Sequence, residues 1–365
     1  MLDLDGALGS ATLFIAKREG RRAAASGIVL QGSTERCTGE ITPAAGPPVG
    51  TIRSYSAPMD ASGQTGGEKE GTVLRVDARQ CLVDVDGATR ECRIRGRLFR
   101  EEKRESKPVA VGDRVMVARQ PTPPDVIVQV LERRNVLARR RGGRGDLQII
   151  AANVDQAVIM GAFVHPELNL RLIDRMLVGA ECGGQNPVIG INKIDLLPDP
   201  AARELIEEIY APTGYPVIFS SVVESVGIDL YRDLLKDRVT VLTGPSGVGK
   251  SSLLNEVQPG LRLKAAEVSG ASGKGRHTTT AASLIPLEIG GWVVDTPGMR
   301  EFQPFPMEPH ELGHYFAEFR AVIPHCHFNT CTHSHEVACA VKQAVDEDRI
   351  HPCRYESYLR MLEEL

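Results

Sequence analysis

Residues Gly244-Pro245-Ser246-Gly247-Val248-Gly249-Lys250-Ser251 fit the pattern G-x-x-x-x-G-K-[ST]. In such a loop the backbone N–H groups cradle phosphates, while the Lys and the hydroxyl reach the terminal phosphate and Mg²⁺. The pattern also arises by chance, so its surroundings decide. Here the apolar run Val239 to Leu242 leads straight into it, and Ser252-Leu253-Leu254 opens a helix behind it, the setting a phosphate loop needs. Gly244, Gly247 and Gly249 let the backbone approach the phosphates. Lys250 neutralises β and γ oxygens and Ser251 is the expected Mg²⁺ ligand, with Pro245, Ser246, Val248 and Ser252 as further nucleotide contacts. Upstream, Asn192-Lys193-Ile194-Asp195 fits N-K-x-D, a guanine-reading loop in which the Asp accepts from the ring N–H and exocyclic amine of the base and the Asn contacts its other edge. Ser220 and Ser221, at the end of a later strand, join the expected nucleotide contacts. The two motifs together specify GTP.

Their order is the reverse of an ordinary GTPase, in which the phosphate loop comes first. The domain is therefore expected to be a circular permutant with new termini. Asp295-Thr296-Pro297-Gly298 follows the buried-strand run Trp292 to Val294, and fits D-x-x-G, with Asp295 holding Mg²⁺ and the Gly298 N–H sensing the γ-phosphate. Strand ends of open α/β sheets are where ligands bind. Met299 occupies the place where many GTPases put a water-orienting Gln, so hydrolysis needs another group. The Gly-rich stretch Gly273-Lys274-Gly275-Arg276-His277-Thr278-Thr279-Thr280 supplies candidates. Thr279 is the expected switch ligand for Mg²⁺, with Thr278 close behind. His277 is the candidate catalytic residue that orients or polarises the attacking water, imidazole being suited to that at neutral pH; the plainer reading is a surface His that contacts RNA or nothing.

A third constellation is Cys326-x4-Cys331-x-His333-x5-Cys339. Three thiolates and one imidazole make a closed set of four ligands for one structural zinc ion, without an open position for catalysis. His325, His327 and His335 are substitutes for His333 in that set, and disulfides are the weaker explanation in a chain without a secretory start. Cys37, Cys81, Cys92, Cys182 and Cys353 read as isolated small residues.

The elements that must carry these groups follow from composition and periodicity. The chain has 365 residues, 42% apolar and 25% charged, and only 5% aromatic, which describes a globular protein of two or three domains. No apolar run approaches the roughly 20 residues needed to cross a bilayer, and Asp3 and Asp5 stand where a secretory signal would be basic. A cytoplasmic protein without membrane contact is expected, and nothing demands more than a monomer. Residues 1–68 mix Gly, Ser, Pro, Thr and Ala without a period and read as a disordered extension, apart from a local helix at Ala11 to Ala16. Met59 stands near the onset of regular patterning, so an alternative start there is a further expectation. Residues 69–132 carry five short strand runs (Thr72 to Val76, Cys81 to Val85, Arg90 to Ile94, Val109 to Val117, Val126 to Leu131) with an Asp86-Gly87 turn. They predict a small antiparallel β-barrel of the oligonucleotide-binding type, with an SH3-like barrel as the competing choice. Residues 133–305 alternate strand and helix as a parallel α/β sheet does, and 306–365 form the zinc-bound α-rich C-terminal module. The net charge of −4 hides two basic clusters. One runs over Arg93, Arg95, Arg97, Arg100, Lys103 and Arg104, the other over Arg133, Arg134, Arg139, Arg140, Arg141 and Arg144. Such clusters are footprints of phosphate binding or solvated faces.

The succession N-K-I-D, G-P-S-G-V-G-K-S-S, G-R-H-T-T-T, D-T-P-G and C-x4-C-x-H-x5-C resembles the ribosome small-subunit-dependent GTPase A family. Ala152-Asn153-Val154-Asp155 and Val111-Gly112-Asp113 are similar to it as well, and the likeness covers residues 70 to 360. The resemblance implies an oligonucleotide-binding barrel, a permuted GTPase core and a zinc module that act on the small ribosomal subunit and its rRNA in late maturation. It also implies weak intrinsic GTP hydrolysis that the subunit stimulates. The segment after Asp295 continues through Arg300-Glu301-Phe302 towards the zinc ligands, so a γ-phosphate-dependent shift has a covalent route to the C-terminal module. The rival readings are a nucleotide-gated RNA-binding adaptor with incidental hydrolysis, and a permuted GTPase acting on the large subunit or on tRNA.

Overall fold

The computed structural model describes residues 68–77, 80–96, 98, 108–141, 146–197, 199–261, 282–295 and 307–365. The chain divides into two compact units, Met1–Ala45 and Gly46–Leu365. The first lies outside the described residues, and so do the expected extension up to residue 67 and its short helix.

Five strands, β1 (Lys69–Asp77), β2 (Gln80–Val85), β3 (Ala88–Ile94), β4 (Arg114–Ala118) and β5 (Asp125–Val130), form a closed barrel. β1 pairs with both β2 and β4, β4 with β5, and β5 runs parallel to β3, which closes the ring. Alternating apolar side chains fill it, Val73, Val83, Cys92, Val115 and Ile127 all being buried, as period-two patterning demands. The β2–β3 hairpin turns on Asp86 and Gly87, both with positive φ (54° and 77°), the geometry that matches the right-handed twist of the strands. β4 begins at Arg114, later than the apolar run from Val109 suggests. The reason is local: the Ala110 N–H donates to the Asp113 carboxylate at 2.7 Å, and Gly112 has φ +84°, which turns the chain out of the barrel before the strand starts.

That turn locks onto a feature hidden in the sequence. The arginine-rich connector is a two-stranded hairpin, β6 (Val136–Arg141) with β7 (Asp146–Ala152), and its far end meets the Val111-Gly112-Asp113 turn. The Ala152 N–H donates to the Val111 carbonyl at 2.8 Å, and the Asn153 amide to the Gly112 carbonyl at 2.9 Å. A Cβ on Gly112 would stand 2.2 Å from the Ala152 carbonyl oxygen. Arg133 clasps the buried Asp113 carboxylate at 2.7 and 2.9 Å, and Arg134 reaches Asp155 at 2.9 Å. Two members of the second basic cluster are thus committed to holding barrel and hairpin in place.

The α/β domain follows as β8 (Gln156–Ala162), α1 (Leu170–Cys182), β9 (Asn186–Asn192), α2 (Ala201–Tyr210), β10 (Val217–Phe219), α3 (Ile228–Leu235), β11 (Val239–Thr243), α4 (Lys250–Val257), β12 (Ser283–Pro286) and β13 (Trp292–Asp295). In space the strands run β10-β9-β8-β11-β13-β12, and β12 alone is antiparallel. β11, which feeds the phosphate loop, sits in the middle of the sheet and is fourth of the six in the chain, whereas an ordinary GTPase has the phosphate-loop strand first; this is the permutation in structural form. The bonding of β12 to β1 through Arg75 and Ser283 joins this sheet to the barrel. One apolar layer packs α1 and α2 against the sheet and a second packs α3 and α4.

Residues 307–365 are short 3₁₀ turns and two helices, α5 (Ala340–Asp346) and α6 (Pro352–Glu363). Phe316, Phe319 and Tyr358 make their core together with Val178 and Cys182 of α1. The interface also buries charge. The Arg354 guanidinium binds Asp174 of α1 at 2.5 Å and Glu318 through two bonds of 2.8 and 3.2 Å, lies 4.7 Å from the centre of the Phe316 ring, and faces Tyr210, whose hydroxyl donates to Asp174 at 2.8 Å. A second clasp, Arg320 and Tyr215 on Glu181, lies beside it, each contact at 2.7 Å. The C-terminal module is therefore built onto α1.

Candidate functional site

Four loops leave the sheet at the C-terminal ends of β9, β10, β11 and β13, and they carry the motif residues. The phosphate loop is pinned from below: Val248 is fully buried, and Gly244 (φ +141°) passes so close to β8 that a Cβ would stand 2.3 Å from the Met160 carbonyl oxygen. Lys250, the first residue of α4, folds back over the loop and donates to the Gly244 and Pro245 carbonyls at 2.7 and 2.9 Å. Burial lowers its ammonium pKa below that of an ordinary lysine. Ser251 and Ser252 follow in the first turn of α4, with Ser246 and Gly247 in the loop itself.

Asn192 ends β9 and is buried. Its amide donates to the Val248 carbonyl at 2.9 Å, and its carbonyl oxygen accepts from the Ser220 hydroxyl at 3.1 Å. The asparagine expected to touch the base thus ties the guanine-reading loop to the phosphate loop. Gly249 (φ +102°) makes that approach possible, since a Cβ there would lie 2.3 Å from the Asn192 amide nitrogen. Lys193 adopts a left-handed conformation (φ +61°) and its ammonium donates to the His165 carbonyl, in the loop between β8 and α1. Ile194 opens the following 3₁₀ turn. Asp195 accepts a 2.6 Å bond from the buried Ser221 hydroxyl, which orients its carboxylate. Asp295 stands at the end of β13 with an exposed side chain, yet the sheet end removes enough water to raise its carboxyl pKa above the ordinary range. Thr279, Thr278, His277, Gly298 and Met299 lie outside the described residues.

The zinc candidates converge. The ligand atoms of Cys326, Cys331, His333 and Cys339 all lie within 4.8 Å of one another. Cys326 Sγ and Cys339 Sγ are each 3.5 Å from His333 Nδ1, and 4.0 Å apart. A tetrahedron with metal bonds of roughly 2.3 Å to sulfur and 2.0 Å to nitrogen has edges of about 3.5 to 3.8 Å, so the donor set fits zinc in number, type and spacing. His325, His327 and His335 are exposed, which selects His333. Its carbonyl accepts from the Tyr355 hydroxyl at 2.7 Å, that of Thr332 from Tyr358 at 2.6 Å, and Glu336 takes the Thr332 and Ser334 N–H groups at 2.6 and 3.0 Å. The ligand loop is thus held in shape by α6 and by its own carboxylate. Sequence reasoning did not find His165, or the Arg354 cluster that carries this module. His165 contributes only a backbone carbonyl, and the Arg354 to Asp174 contact spans 180 residues, so neither leaves a local signal.

Residues 130–305 match the family model described as RsgA GTPase. Over 282 residues the chain is 39% identical to the small ribosomal subunit biogenesis GTPase RsgA of Bacteroides fragilis, a match covering 76% of this chain and 91% of the relative. Over 276 residues it is 42% identical to the protein of the same name from Gemmatimonas aurantiaca, covering 74% and 89%. Among solved structures, YjeQ from Thermotoga maritima superposes with a TM-score of 0.68 at 36% identity, covering 82% of this chain and 98% of that one. YloQ, described as a circularly permuted GTPase, superposes with a TM-score of 0.65 at 31% identity, covering 84% and 97%.

Proposed function

Because the chain belongs to the RsgA GTPase family and is accordingly a GTP-hydrolysing enzyme, we propose that it acts in late maturation of the small ribosomal subunit, bound to the subunit and its rRNA and stimulated by it to hydrolyse GTP. One observation carries the nucleotide part of this reading: the 2.9 Å bond from Asn192 to Val248, which holds a base-reading loop and a phosphate loop at opposite ends of a single site. Asp195, oriented by Ser221, recognises the guanine ring N–H and amine. The phosphate-loop N–H groups and Lys250 take the phosphates, and the pre-shaped loop lowers the cost of gathering negative charge there. Ser251, Thr279 and Asp295 are the residues proposed to hold Mg²⁺, which supplies charge neutralisation on the phosphates. His277 is proposed to position the attacking water, since Met299 has no polar atom able to do so.

The domain reading keeps the proposed boundaries: barrel 69–132, permuted GTPase 133–305 and C-terminal module 306–365. Cys326, Cys331, His333 and Cys339 are proposed to hold one structural zinc ion that cross-links the module's loop. Among the described residues no helix is long and apolar enough to cross a membrane, and a cytoplasmic monomer is the proposed working form. The deciding experiment is co-sedimentation of the purified protein with isolated small and large subunits under GDP, GTP and a non-hydrolysable analogue, paired with hydrolysis rates with and without subunits. Binding selective for the small subunit with strongly stimulated hydrolysis is expected. Equal binding to both subunits would refute the partner, and binding without stimulation would favour a nucleotide-gated adaptor.

A further inference from the structure

Behind the base-reading loop stands a polar group left without a partner. Tyr231, on α3, is fully buried, and its hydroxyl makes no hydrogen bond among the described residues, a costly condition for a buried donor. Its place is set by β9. Gly190 on that strand passes so close that a Cβ there would stand 2.4 Å from the phenol oxygen, so a glycine is what admits the ring tip. Beside it lies Ser220, the residue after β10. Burial raises the pKa of the phenol, and the Ser220 side chain, near enough to act on it, works in the opposite sense; yet the contact stops short of a hydrogen bond. Ser220 itself is fixed, because its N–H donates to the Ile191 carbonyl at 2.8 Å and its carbonyl accepts from the Ile194 N–H at 3.1 Å.

Counting donors gives this contact a direction. The Val248 carbonyl only accepts, so the Asn192 amide turns its NH₂ to it at 2.9 Å. The amide oxygen is then an acceptor, and the Ser220 hydroxyl spends its one proton there at 3.1 Å. What Ser220 has left is lone pairs, and Tyr231 holds the donor beside them. The row is in order but slack, since hydroxyl-to-oxygen bonds are commonly about 2.7 to 2.8 Å long. A base that takes the second Asn192 amide proton tightens the row, because a hydrogen bond made at one end of such a chain polarises the next. We propose that Tyr231 is a positioning residue for guanine, its hydroxyl closing on Ser220 so that Asn192 is held to the base and to the phosphate loop at once. This deepens the nucleotide-site reading above, and rests on it for the contact between Asn192 and guanine.

The test compares the full-length protein with Tyr231→Phe, Ser220→Ala and the double variant. Isothermal titration with GDP and a non-hydrolysable GTP analogue reads affinity, and scanning calorimetry on nucleotide-stripped protein reads Tm. Tyr231→Phe keeps the ring and its packing and removes only the hydroxyl. Affinity should fall about threefold to tenfold, the worth of one hydrogen bond. The Tm of the stripped protein should hold or rise by about 1 to 3 °C, because an unsatisfied buried donor is gone. These opposite signs mark a positioning role, since loss of a residue that merely packs would lower both. In the Ser220→Ala background the same change should alter affinity by less than about 1.5-fold, the two residues acting as one unit. Unchanged affinity in Tyr231→Phe, a Tm that falls, or effects that simply add would each overturn the proposal. Wild type that does not bind guanine nucleotides removes the site reading itself, whereas tight wild-type binding equalled by Tyr231→Phe removes only this residue's part in it.

Discussion

Truncating Arg354 to Ala tests whether the C-terminal module is held by its buried charge cluster. The guanidinium and its partners Asp174 and Glu318 are 1%, 1% and 2% exposed. Burial by itself disfavours the charge on Arg354, but Asp174 and then Glu318 outweigh it and keep the group protonated. Removing the cation leaves two carboxylates in a site with little water, and breaking a buried pair in this way costs about 3 to 5 kcal/mol. With an unfolding entropy of roughly 2.1 cal/mol/K per residue over about 300 residues, that is a fall of about 5 to 8 °C in Tm. Scanning calorimetry and urea titration measure it directly. Arg354→Met combined with Asp174→Asn and Glu318→Gln should recover most of the loss, because similar volume is retained and no uncompensated charge remains. A cost below about 1 kcal/mol for Arg354→Ala, a value typical of exposed pairs, would refute the argument that this cluster anchors the module.

Three further outcomes are expected. Gly249→Ala places a Cβ 2.3 Å from the Asn192 amide nitrogen at a φ of +102°, so GTP affinity measured by isothermal titration should fall at least tenfold, about 1.4 kcal/mol; unchanged affinity would refute the proposed tie between the two loops. Metal analysis of the purified protein should give one zinc per chain, falling to none in Cys331→Ser, with a loss of near-ultraviolet signal from Tyr355 and Tyr358 beside the site; full zinc content in the variant would remove Cys331 from the ligand set. Burial, aided by the Asp125 carboxylate, pushes the Cys92 thiol up to about 11, so its thiolate fraction at pH 8 is about 10⁻³. Native alkylation at that pH, read by mass spectrometry, should leave Cys92 untouched. The folded value exceeds the ordinary 9.0, so the associated stabilisation is complete below pH 9 and disappears as pH rises through 11.

What could be read from residue order was whatever is local. Val239 to Leu242 feeding Gly244, and Val188 to Ile191 feeding Asn192, appear in the structure as β11 and β9 almost residue for residue, because a buried strand ending in a glycine or polar loop is a short-range signal. Ala201 to Tyr210 is a helix over those same residues. The β6–β7 hairpin stayed hidden because Arg139, Arg140 and Arg141 break the apolar alternation that marks a strand. Arg133 belonged to a cluster suited to phosphate, yet it is spent on Asp113, twenty residues away. Cys81 and Cys92, read as unrelated, are direct cross-strand neighbours, a relation set by hairpin register. Asn192 was grouped with the nucleotide residues from its motif alone, but its bond to Val248 spans 56 positions and exists only once the permuted sheet has closed.

The shared wall made by α1 has a mechanical corollary. One flank of this helix leans on β8 and on β9, which ends in Asn192, and Asp174 and Glu181 fasten its other flank to the last sixty or so residues. The chain itself supplies the remaining link, leading from Asp295 on into that same terminal region. Sheet, α1 and the Cys/His knuckle are therefore joined through packed and hydrogen-bonded side chains as well as through the covalent chain. Slackening the Arg354 joint is therefore expected to be felt in β8 and β9, the strands on which α1 leans, and a pull on the knuckle to return to them by the same route.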